Sequence, residues 1–307
     1  MKLLRSLTDV PSELLGGALS IGNFDGIHRG HARIVARLIE QARQLGGPSI
    51  VLTFDPHPVR LLRPETAPPP LMWIEQKTAL LDELGADVVV AYPTDLALLS
   101  LTPEEFFQSI VQDRLGAKAM VEGPNFYFGR DRKGDVNMLG QFCDQAKIHL
   151  EIAPPLEMDG EIVSSSRIRD MVGRGDVEEA RRLLSRPYRI RGMVTHGAQR
   201  GASIGFPTAN LEAIDTMLPG EGVYAGRAHA AGKAWPAAIN IGPNPTFGEH
   251  ALKVEAHLIG FDGSLYQQPL EVDFLRRLRD IQPFDSVDAL ILQLKQDVEE
   301  AAKIALE

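Results

Sequence analysis

The sequence of 307 residues contains a single cysteine, Cys143, which excludes an internal disulfide and any metal site built from several cysteines. The simplest interpretation of that thiol is a small, buried apolar side chain. A run of about 18 apolar residues, the minimum for a membrane-spanning helix, is also absent. Residues 1–6 lack the apolar core of a secretory signal before Asp9 and Glu13. We therefore expect a soluble, cytoplasmic protein.

An excess of positive charge is absent as well. The 32 lysines and arginines stand against 41 aspartates and glutamates, which gives a formal net charge of −9. Because affinity for nucleic acid comes largely from neutralising phosphates, this balance disfavours a nucleic-acid partner. No membrane partner is expected either, and the pattern leaves the oligomeric state open. A chain of this length exceeds what one hydrophobic core usually serves, which predicts two domains.

The first half of the chain alternates short apolar segments with helical patterns. This alternation predicts an α/β fold with a doubly wound parallel sheet, in which ligands bind beyond the carboxyl ends of the strands. One helix start is well marked, because Thr102 can act as N-cap before Pro103 and Glu105. The predicted strands are 18–21, 50–54, 87–92 and 119–122, and the predicted helices begin at about His31, Ile74 and Thr102.

Residues 22–31 join the first predicted strand to the first long helix. Their glycines let the backbone approach a ligand closely, and His28 and His31 share one face at a helix N-terminus, where amides and the helix dipole attract anions. This pattern favours phosphate handling. Two alternatives use the same residues: a capped turn with two surface histidines, or a metal site formed by both histidines and Asp25.

Three further loops carry unusual residues. Residues 55–58 set His57 between two prolines, which fix the backbone but would also suit a rigid surface turn. Residues 123–129 offer three aromatic rings that could stack a planar ligand or close the edge of the sheet. Residues 164–169 place hydroxyls at a predicted N-cap with two arginines behind them, a set suited to polyphosphate and also common on surface helices.

The second half of the chain has a different period. A short helix at 175–184 precedes a break at 185–187, so we predict domains at 1–185 and 186–307. Asp262-Gly263 is a strong turn signal, and regularly spaced strands predict a small antiparallel β-barrel. A terminal helix from about Ser286 should pack its apolar stripe on that barrel. The predicted strands are 189–195, 223–230, 235–241, 253–259 and 270–274, and the stripe is Leu290, Leu294 and Val298.

A glycine-rich loop at 197–205 opens this second half and runs into the segment 206–210, Phe-Pro-Thr-Ala-Asn. Taken alone, such a loop is more often a flexible surface segment. Glu255, which alternates with apolar neighbours in a predicted strand, would by itself be an ordinary exposed glutamate. Neither feature alone predicts an activity.

Taken together, the motifs resemble a known family. Residues 22–31 look like the H-x-G-H motif of nucleotidylyltransferases, and 164–169 resemble their serine-rich second motif. With 53–58 and 123–129, the first half is similar to the FAD synthetase module of bacterial bifunctional riboflavin kinase/FAD synthetases. Residues 205–210, 240–242, 245–247 and 254–257 resemble the riboflavin kinase module of the same family. The resemblance implies a nucleotidylyltransferase-like sheet in the first half.

The resemblance also implies a role for each matched position. His28, His31 and Glu255 would be catalytic, with Glu255 as general base. In the synthetase half, ATP would contact Gly22, Phe24, Asp25, His28, His31, Asn125, Ser164, Ser165 and Arg169, and flavin would contact His57, Pro58 and Phe128. In the kinase half, ATP would contact His196, Gly197, Gly201, Gly205, Pro207, Thr208 and Asn210, and flavin would contact Arg279. Thr208 and Asn210 would hold Mg²⁺.

The reactions implied are phosphorylation of riboflavin by ATP to give FMN, and adenylylation of FMN by a second ATP to give FAD and pyrophosphate. Mg²⁺ would accompany ATP. Two positions depart from the family pattern: Tyr127 replaces an arginine, and Gln267 replaces a glycine. Two other hypotheses follow: a chain in which one half has lost activity, the synthetase half first, or a flavin-binding protein without catalysis.

Overall fold

The computed structural model describes residues 1–8, 10–197, 200–243 and 251–306. The chain forms two compact units. The first contains Met1–Pro68 and Trp73–Ser164, and the second contains Pro69–Met72 and the chain from Ser165 onward. The boundary predicted at 185/186 concerns the two activities and stays a prediction.

The first unit is built on a six-stranded sheet in which every pair of neighbouring strands is parallel. The spatial order is β1-β4-β3-β2-β5-β6. The predicted parallel α/β fold is therefore confirmed, and β2 to β5 match the four predicted strands. The strands are β1 Lys2–Leu4, β2 Ala18–Ile21, β3 Ser49–Asp55, β4 Val88–Pro93, β5 Ala119–Glu122 and β6 His149–Ile152.

The order of the strands locates the ligand-binding edge. From β2 the chain proceeds through β3 and β4 on one side, whereas β5 and β6 lie on the other. The topology therefore switches between β2 and β5, and ligands of such sheets bind beyond the carboxyl ends of the strands at this point. Both strands are buried along their whole length, because they are short apolar runs covered on both faces.

Helices and turns connect these strands. The first long helix begins at Arg29, two residues before the predicted start, and ends at Gly46, whose positive φ of 65° suits glycine. Thr102 and Glu105 form the predicted capping box. The helical segments are Ser12–Leu14, Arg29–Leu45, Pro58–Leu62, Ile74–Glu83, Leu96–Ser100, Pro103–Phe106, the π-helical Phe107–Arg114, Arg130–Arg132 and Val136–Ala146; a hairpin of β7 Glu157–Met158 and β8 Glu161–Ile162 completes the unit.

Cys143 lies in the core of this unit, as predicted. Its thiol is fully buried, and burial raises its pKa to about 12, with the negative charge of Asp144 adding to the effect. The thiol therefore stays protonated and acts as a small apolar group.

The second unit contains a closed six-stranded barrel, which confirms the predicted fold of the second half. Every neighbouring pair is antiparallel, in the order β10-β13-β12-β11-β14-β9 and back to β10. The strands are β9 Tyr188–Thr195, β10 Ala209–Glu212, β11 Gly222–Ala230, β12 Lys233–Gly242, β13 Lys253–Leu258 and β14 Pro269–Arg279; the helices are Ser165–Arg174, Val177–Leu184, Arg200–Ser203 and Val287–Ile304.

The turn predicted at Asp262-Gly263 lies in the connection between β13 and β14, where the chain bends at Gly263. β13 ends at Leu258 and turns at Gly260, whose φ is 79°, and β14 starts only at Pro269. β13 pairs with β10 and β12 rather than with β14, so no tight hairpin joins these two strands. A dipeptide signal cannot distinguish a hairpin from a longer connection that crosses to another part of the barrel.

The terminal helix begins after Ser286, whose side chain accepts a hydrogen bond from the backbone N–H of Ala289. The predicted stripe of Leu290, Leu294 and Val298 is only half-buried. The fully buried positions are Asp297, Ala301 and Ile304, and the last two pack with Ala225 and Leu275 of the barrel. The prediction that this stripe forms the core is therefore corrected. The buried face of the helix lies next to the stripe and is formed by Asp297, Ala301 and Ile304. In the described ranges, no helix is both long and apolar enough to span a membrane.

Candidate active sites

In the first unit, the loop after β2 brings the two predicted histidines together. His28 caps the helix that starts at Arg29, and its Nδ1 accepts a hydrogen bond from the backbone N–H of His31 at 3.2 Å. The two imidazole rings stack with centroids 3.7 Å apart and an angle of 15° between their planes. Phe24 lies against His31 with a centroid distance of 5.1 Å. Both rings are therefore fixed at the N-terminus of a helix, where the backbone favours anions.

A side chain between the two histidines would crowd the His28 ring. A Cβ at Gly30 would lie 3.1 Å from the His28 ring. The preceding loop is strongly curved, with positive φ at Phe24, Gly26 and Ile27. Such backbone is unfavourable for a side chain as bulky as phenylalanine or isoleucine, and it is typically retained at functional sites.

A buried lysine that the sequence does not single out lies next to this loop. Lys77, on the helix Ile74–Glu83, is 8% exposed. Its Nζ donates hydrogen bonds to the carbonyl oxygen of Asn23 at 2.7 Å and to Oγ1 of Thr53 at 3.2 Å. Burial lowers the pKa of Lys77, and the negative charges of Asp25 and Asp55 oppose that shift. A lysine in a helical pattern normally indicates a solvated face, so the sequence contains no signal for this role.

A buried carboxyl group joins the two strands at the switch point. Glu122, the last residue of β5, is 3% exposed, and its Oε1 accepts a hydrogen bond from the backbone N–H of Ile21 at 2.7 Å. Burial raises the pKa of Glu122 well above its usual range, although this hydrogen bond lowers it. Its neutral form is therefore favoured in the folded chain.

In the second unit, strand register lines up four polar side chains. Asn210 of β10 lies opposite Glu255 of β13 on one side and opposite Thr195 of β9 on the other. Glu255 also lies opposite Asn240 of β12. Directly opposed residues of antiparallel strands project to the same face, about 5 Å apart. Glu255 is thus flanked by two amides, and we call Thr195, Asn210, Glu255 and Asn240 the polar row.

Two atoms of the polar row lack hydrogen-bond partners within the described part of the chain. They are Oγ1 of Thr195 and Nδ2 of Asn240, and both are buried. Buried polar atoms are usually satisfied, so each such atom calls for an explanation. Both atoms lie in the polar row beside Glu255 and Asn210, so they are available to a bound polar group there.

The loop before β10 packs closely on the polar row. A Cβ at Gly197 would overlap the side-chain amide of Asn210, and one at Gly201 would overlap the carbonyl oxygen of Phe206. The ring nitrogen Nδ1 of His257 lies 2.7 Å from the carbonyl oxygen of Pro207, which can only accept, so Nδ1 carries the hydrogen. His257 thereby ties the segment that holds Thr208 to the strand that holds Glu255.

Comparison with known proteins identifies the family. The family model described as FAD synthetase matches residues 11–167, and the model described as riboflavin kinase matches residues 184–305. A curated bifunctional riboflavin kinase/FMN adenylyltransferase from Pseudomonas fluorescens is 39% identical, covering 99% of this chain and 98% of that protein. The chain belongs to the bifunctional riboflavin kinase/FMN adenylyltransferase family.

Further relatives agree over the whole length. The protein of the same name from Escherichia coli strain K12 is 33% identical, covering 97% of this chain and 96% of its own. A solved structure from Streptococcus pneumoniae, titled as a macrolide-efflux protein, is 31% identical with a TM-score of 0.86 and covers 98% of both chains. The structure agrees in fold, and both family models name flavin enzymes. The predicted family, with its two ATP-dependent activities, is confirmed.

The other residues predicted for the synthetase half are more dispersed. His57 caps the helix Pro58–Leu62 and accepts a hydrogen bond from the backbone N–H of Val59 at 3.0 Å. Phe128 is 5% exposed and packs among Phe106, Phe126 and Phe142, so its ring belongs to the core of the unit. Asn125 is exposed. Roles for these residues stay predictions.

Two of the residues predicted to bind ATP with the histidine pair belong to the second compact unit, whereas the histidines belong to the first. Ser165 and Arg169 lie on the helix Ser165–Arg174 of the second unit, whereas Ser164 ends the first. The Nε atom of Arg169 donates a hydrogen bond to the carbonyl oxygen of Pro69 at 3.1 Å. Their proposed contact with ATP stays a prediction.

Tyr127 and Gln267 are the two positions predicted to depart from the family pattern. Tyr127 is exposed, and the guanidinium of Arg132 lies over its ring at 4.9 Å from the centroid, so the loop still carries positive charge. Gln267 adopts a φ of 62°, the left-handed region that favours glycine. Its backbone N–H donates to the carbonyl oxygen of Val194 at 2.9 Å.

The remaining residues predicted for the kinase half lie around the barrel. His196 stacks on Tyr266 with ring centroids 3.9 Å apart. Arg279 forms a two-pronged ion pair with Asp297, with Nη2 2.8 Å from Oδ2. Gly205 has a φ of 91°, which favours glycine. The motif at 245–247 and residues 198–199 of the glycine-rich loop lie outside the described residues.

Proposed function

We propose that residues 1–185 carry the adenylyltransferase activity and that His28 and His31 are its catalytic residues. The observation that carries this assignment is the stacked pair at a helix N-terminus, at the switch point of a parallel sheet. In the reaction, a phosphate oxygen of FMN attacks the α-phosphorus of ATP in line, and pyrophosphate leaves. The protein has to align two anions and offset accumulating negative charge, which fixed imidazoles and helix amides do well.

ATP contacts are proposed in three segments of the first half of the chain, and flavin contacts in two. Gly22, Phe24 and Asp25 belong to the curved loop that positions the histidines. The proposed ATP-binding residues are Gly22, Phe24, Asp25, His28, His31, Asn125, Ser164, Ser165 and Arg169, and the proposed flavin-binding residues are His57, Pro58 and Phe128.

Residues 186–307 are proposed to carry the riboflavin kinase activity, with Glu255 as general base. Glu255 would take the proton of the terminal ribityl hydroxyl as its oxygen attacks the γ-phosphorus of ATP, and ADP leaves. The polar row supports this role, because amides on both sides of a carboxylate can orient it and the hydroxyl together. The proposed ATP-binding residues are His196, Gly197, Gly201, Gly205, Pro207, Thr208 and Asn210, with Arg279 at the flavin.

Mg²⁺ is proposed to accompany ATP at the kinase site. Thr208 and Asn210 offer neutral oxygens, the hard donors that Mg²⁺ accepts when substrate phosphates and water complete its shell. The unpartnered atoms of the polar row beside Asn210 support a ligand at this place. Bound there, the ion would neutralise phosphate charge. We place the protein in the cytoplasm, where a family that uses ATP and riboflavin meets its substrates.

The assay for this proposal follows both products. The purified chain is incubated with riboflavin, ATP and Mg²⁺, and the flavins are separated by chromatography. FMN and FAD should both form. FMN without FAD, even when FMN is supplied directly, would contradict the adenylyltransferase, and unchanged riboflavin would contradict the kinase.

Two substitutions test the assignment of residues. His28→Ala should lower FAD formation from FMN by about a hundredfold, the scale of a lost transition-state group, and leave riboflavin phosphorylation unchanged. Glu255→Ala should do the reverse. Each variant is thus the folding control of the other. If both substitutions impaired both reactions equally, independent sites would be the wrong description.

A further inference from the structure

Lys77 is the strongest feature of the first unit that no proposed role includes. Three groups converge there: Nζ of Lys77 donates to the carbonyl oxygen of Asn23 at 2.7 Å, and the hydroxyl of Thr53 donates to the same oxygen at 3.1 Å. Nζ also donates to Oγ1 of Thr53 at 3.2 Å. The side chain thus connects the helix Ile74–Glu83, the strand β3 and the loop after β2.

Keeping an ammonium group at this place is costly. Burial disfavours its charged form, which is why its pKa is lowered. The charges of Asp25 and Asp55 offset part of that cost. A methionine of similar length could fill the same space without desolvating a charge, and replacing buried ions by apolar groups is often neutral or stabilising. Stability alone therefore does not explain a lysine here.

The held carbonyl belongs to the loop that forms the histidine site. Asn23 directly precedes Phe24, whose φ of 46° is unfavourable for a phenylalanine. The Phe24 ring contacts His31, and His31 stacks on His28. A continuous set of contacts therefore leads from the Lys77 ammonium to both imidazoles.

A second, independent observation marks this loop as a ligand site. The side-chain oxygen Oδ1 of Asn23 is buried and has no hydrogen-bond partner in the described part of the chain. Most buried polar atoms have a hydrogen-bond partner, and a ligand with an N–H or O–H group could donate a hydrogen bond to this oxygen. Lys77 therefore holds the backbone of Asn23, the residue whose side-chain oxygen is available to a ligand.

We propose that Lys77 is a positioning residue for adenylyl transfer, which holds the loop 22–28 so that His28 and His31 meet the reacting phosphates. The inference rests on the proposed function of the first unit. Lys77 acts through the histidines, so its loss should affect the transition state more than the binding of substrates.

The test uses the full-length chain with Lys77→Met, and Lys147→Met as the matched control, because Lys147 is an exposed lysine of the same unit. For FMN plus ATP, K77M should lower kcat by about tenfold or more and change either KM by less than about threefold. Riboflavin phosphorylation should be unchanged, and K147M should behave like the parent chain in both reactions.

A double-mutant cycle separates positioning from a general structural role. If Lys77 acts through His31, adding K77M to His31→Ala should lower kcat by less than about threefold beyond H31A alone. Multiplicative losses would overturn the proposal, since they would mean that Lys77 acts independently. An unchanged kcat in K77M alone would also overturn it.

A variant with a smaller perturbation covers the case in which K77M does not fold, as judged by its melting curve. Thr53→Val removes the hydroxyl that Lys77 and Asn23 share, and it should lower kcat for FAD formation by about threefold or more. An unchanged kcat in T53V would then contradict the proposal. If the parent chain forms no FAD at all, the proposed function fails, whereas FAD formation that is insensitive to these substitutions refutes only the role of Lys77.

Discussion

At the scale of single residues, Glu122 links the strands that frame the proposed adenylyltransferase site. Its carboxyl group is buried at the end of β5 and accepts a hydrogen bond from the backbone N–H of Ile21 at the end of β2. Burial raises the pKa of Glu122 in the folded chain. In the unfolded chain its pKa is the usual value of about 4.3, so the folded chain retains a proton that the unfolded chain has already released. Between those two pKa values the folded state binds more protons.

The sign of the resulting pH dependence follows directly. Because the folded state binds more protons in that window, Glu122 makes the free energy of unfolding fall as the pH rises, by up to about 1.4 kcal/mol per pH unit. Glu122→Gln keeps an acceptor for Ile21 and removes the titration. Relative to the parent chain, E122Q should therefore gain stability as the pH rises from 5 to 8. Urea unfolding at several pH values measures the difference.

Glu83→Gln is the control for this prediction, because Glu83 is an exposed glutamate of the same unit. The same measurement on E83Q distinguishes the loss of a buried carboxyl group from the loss of a surface charge. A difference between E122Q and the parent chain that is independent of pH would contradict the prediction.

At the scale of elements, the terminal helix is attached to the barrel by an ion pair as well as by apolar contacts. Asp297 is buried on the helix Val287–Ile304, and its carboxylate accepts from Arg279 of β14 and from Gln293 one helical turn earlier. The Arg279 guanidinium also lies 5.7 Å from the Phe284 ring centroid. Arg279, predicted at the flavin, is therefore positioned by the last helix.

Removing the charge of Asp297 should be strongly destabilising. Asp297→Asn leaves the guanidinium without its counter-ion, which costs about 3 kcal/mol when one partner of a largely buried pair is lost. The KM for riboflavin should rise as well, if Arg279 contacts the flavin. Denaturant unfolding and initial rates measure both effects. Glu299→Gln, an exposed position on the same helix, should stay within about 0.5 kcal/mol of the parent chain; equal stabilities of the two variants would contradict the prediction.

The elements show which parts of the structure a sequence can predict. β2, β3, β4 and β5 are short apolar runs bounded by turn residues, so their positions follow from composition. β1, β6 and β10 have three or four residues each, and β6 includes His149 and Glu151, so no apolar run marks them. Their existence depends on pairing with distant strands, a tertiary effect that local patterns do not contain.

The sites show the same limit. His28, His31 and Glu255 occur in spaced motifs that a resemblance can match. Lys77 lies in no such motif, and its burial against the loop after β2 appears only when the chain is folded. Phe128 shows the limit from the other side, because the sequence places an aromatic ring in a glycine-rich loop but does not reveal that this ring packs against the core of the unit.

At the scale of the whole molecule, the compact units and the proposed functional domains end at different places. Apart from the short segment Pro69–Met72, the second unit starts at Ser165, but the riboflavin kinase model starts to match only at residue 184. Between these points lie the helices Ser165–Arg174 and Val177–Leu184. The second helix packs on β14 and β9, and Arg276 of β14 forms an ion pair with Glu178 at 3.0 Å.

This difference predicts the behaviour of two fragments. Val177, Ala180, Leu183 and Leu184 are buried within the second unit, and a fully buried leucine or valine contributes about 1.5–3 kcal/mol. A fragment of residues 165–307 should therefore unfold at a clearly higher urea concentration than one of residues 186–307. Both fragments contain the polar row and should phosphorylate riboflavin where they are folded. Equal urea midpoints would mean that the helices add nothing to the stability of the barrel, and they would contradict this prediction.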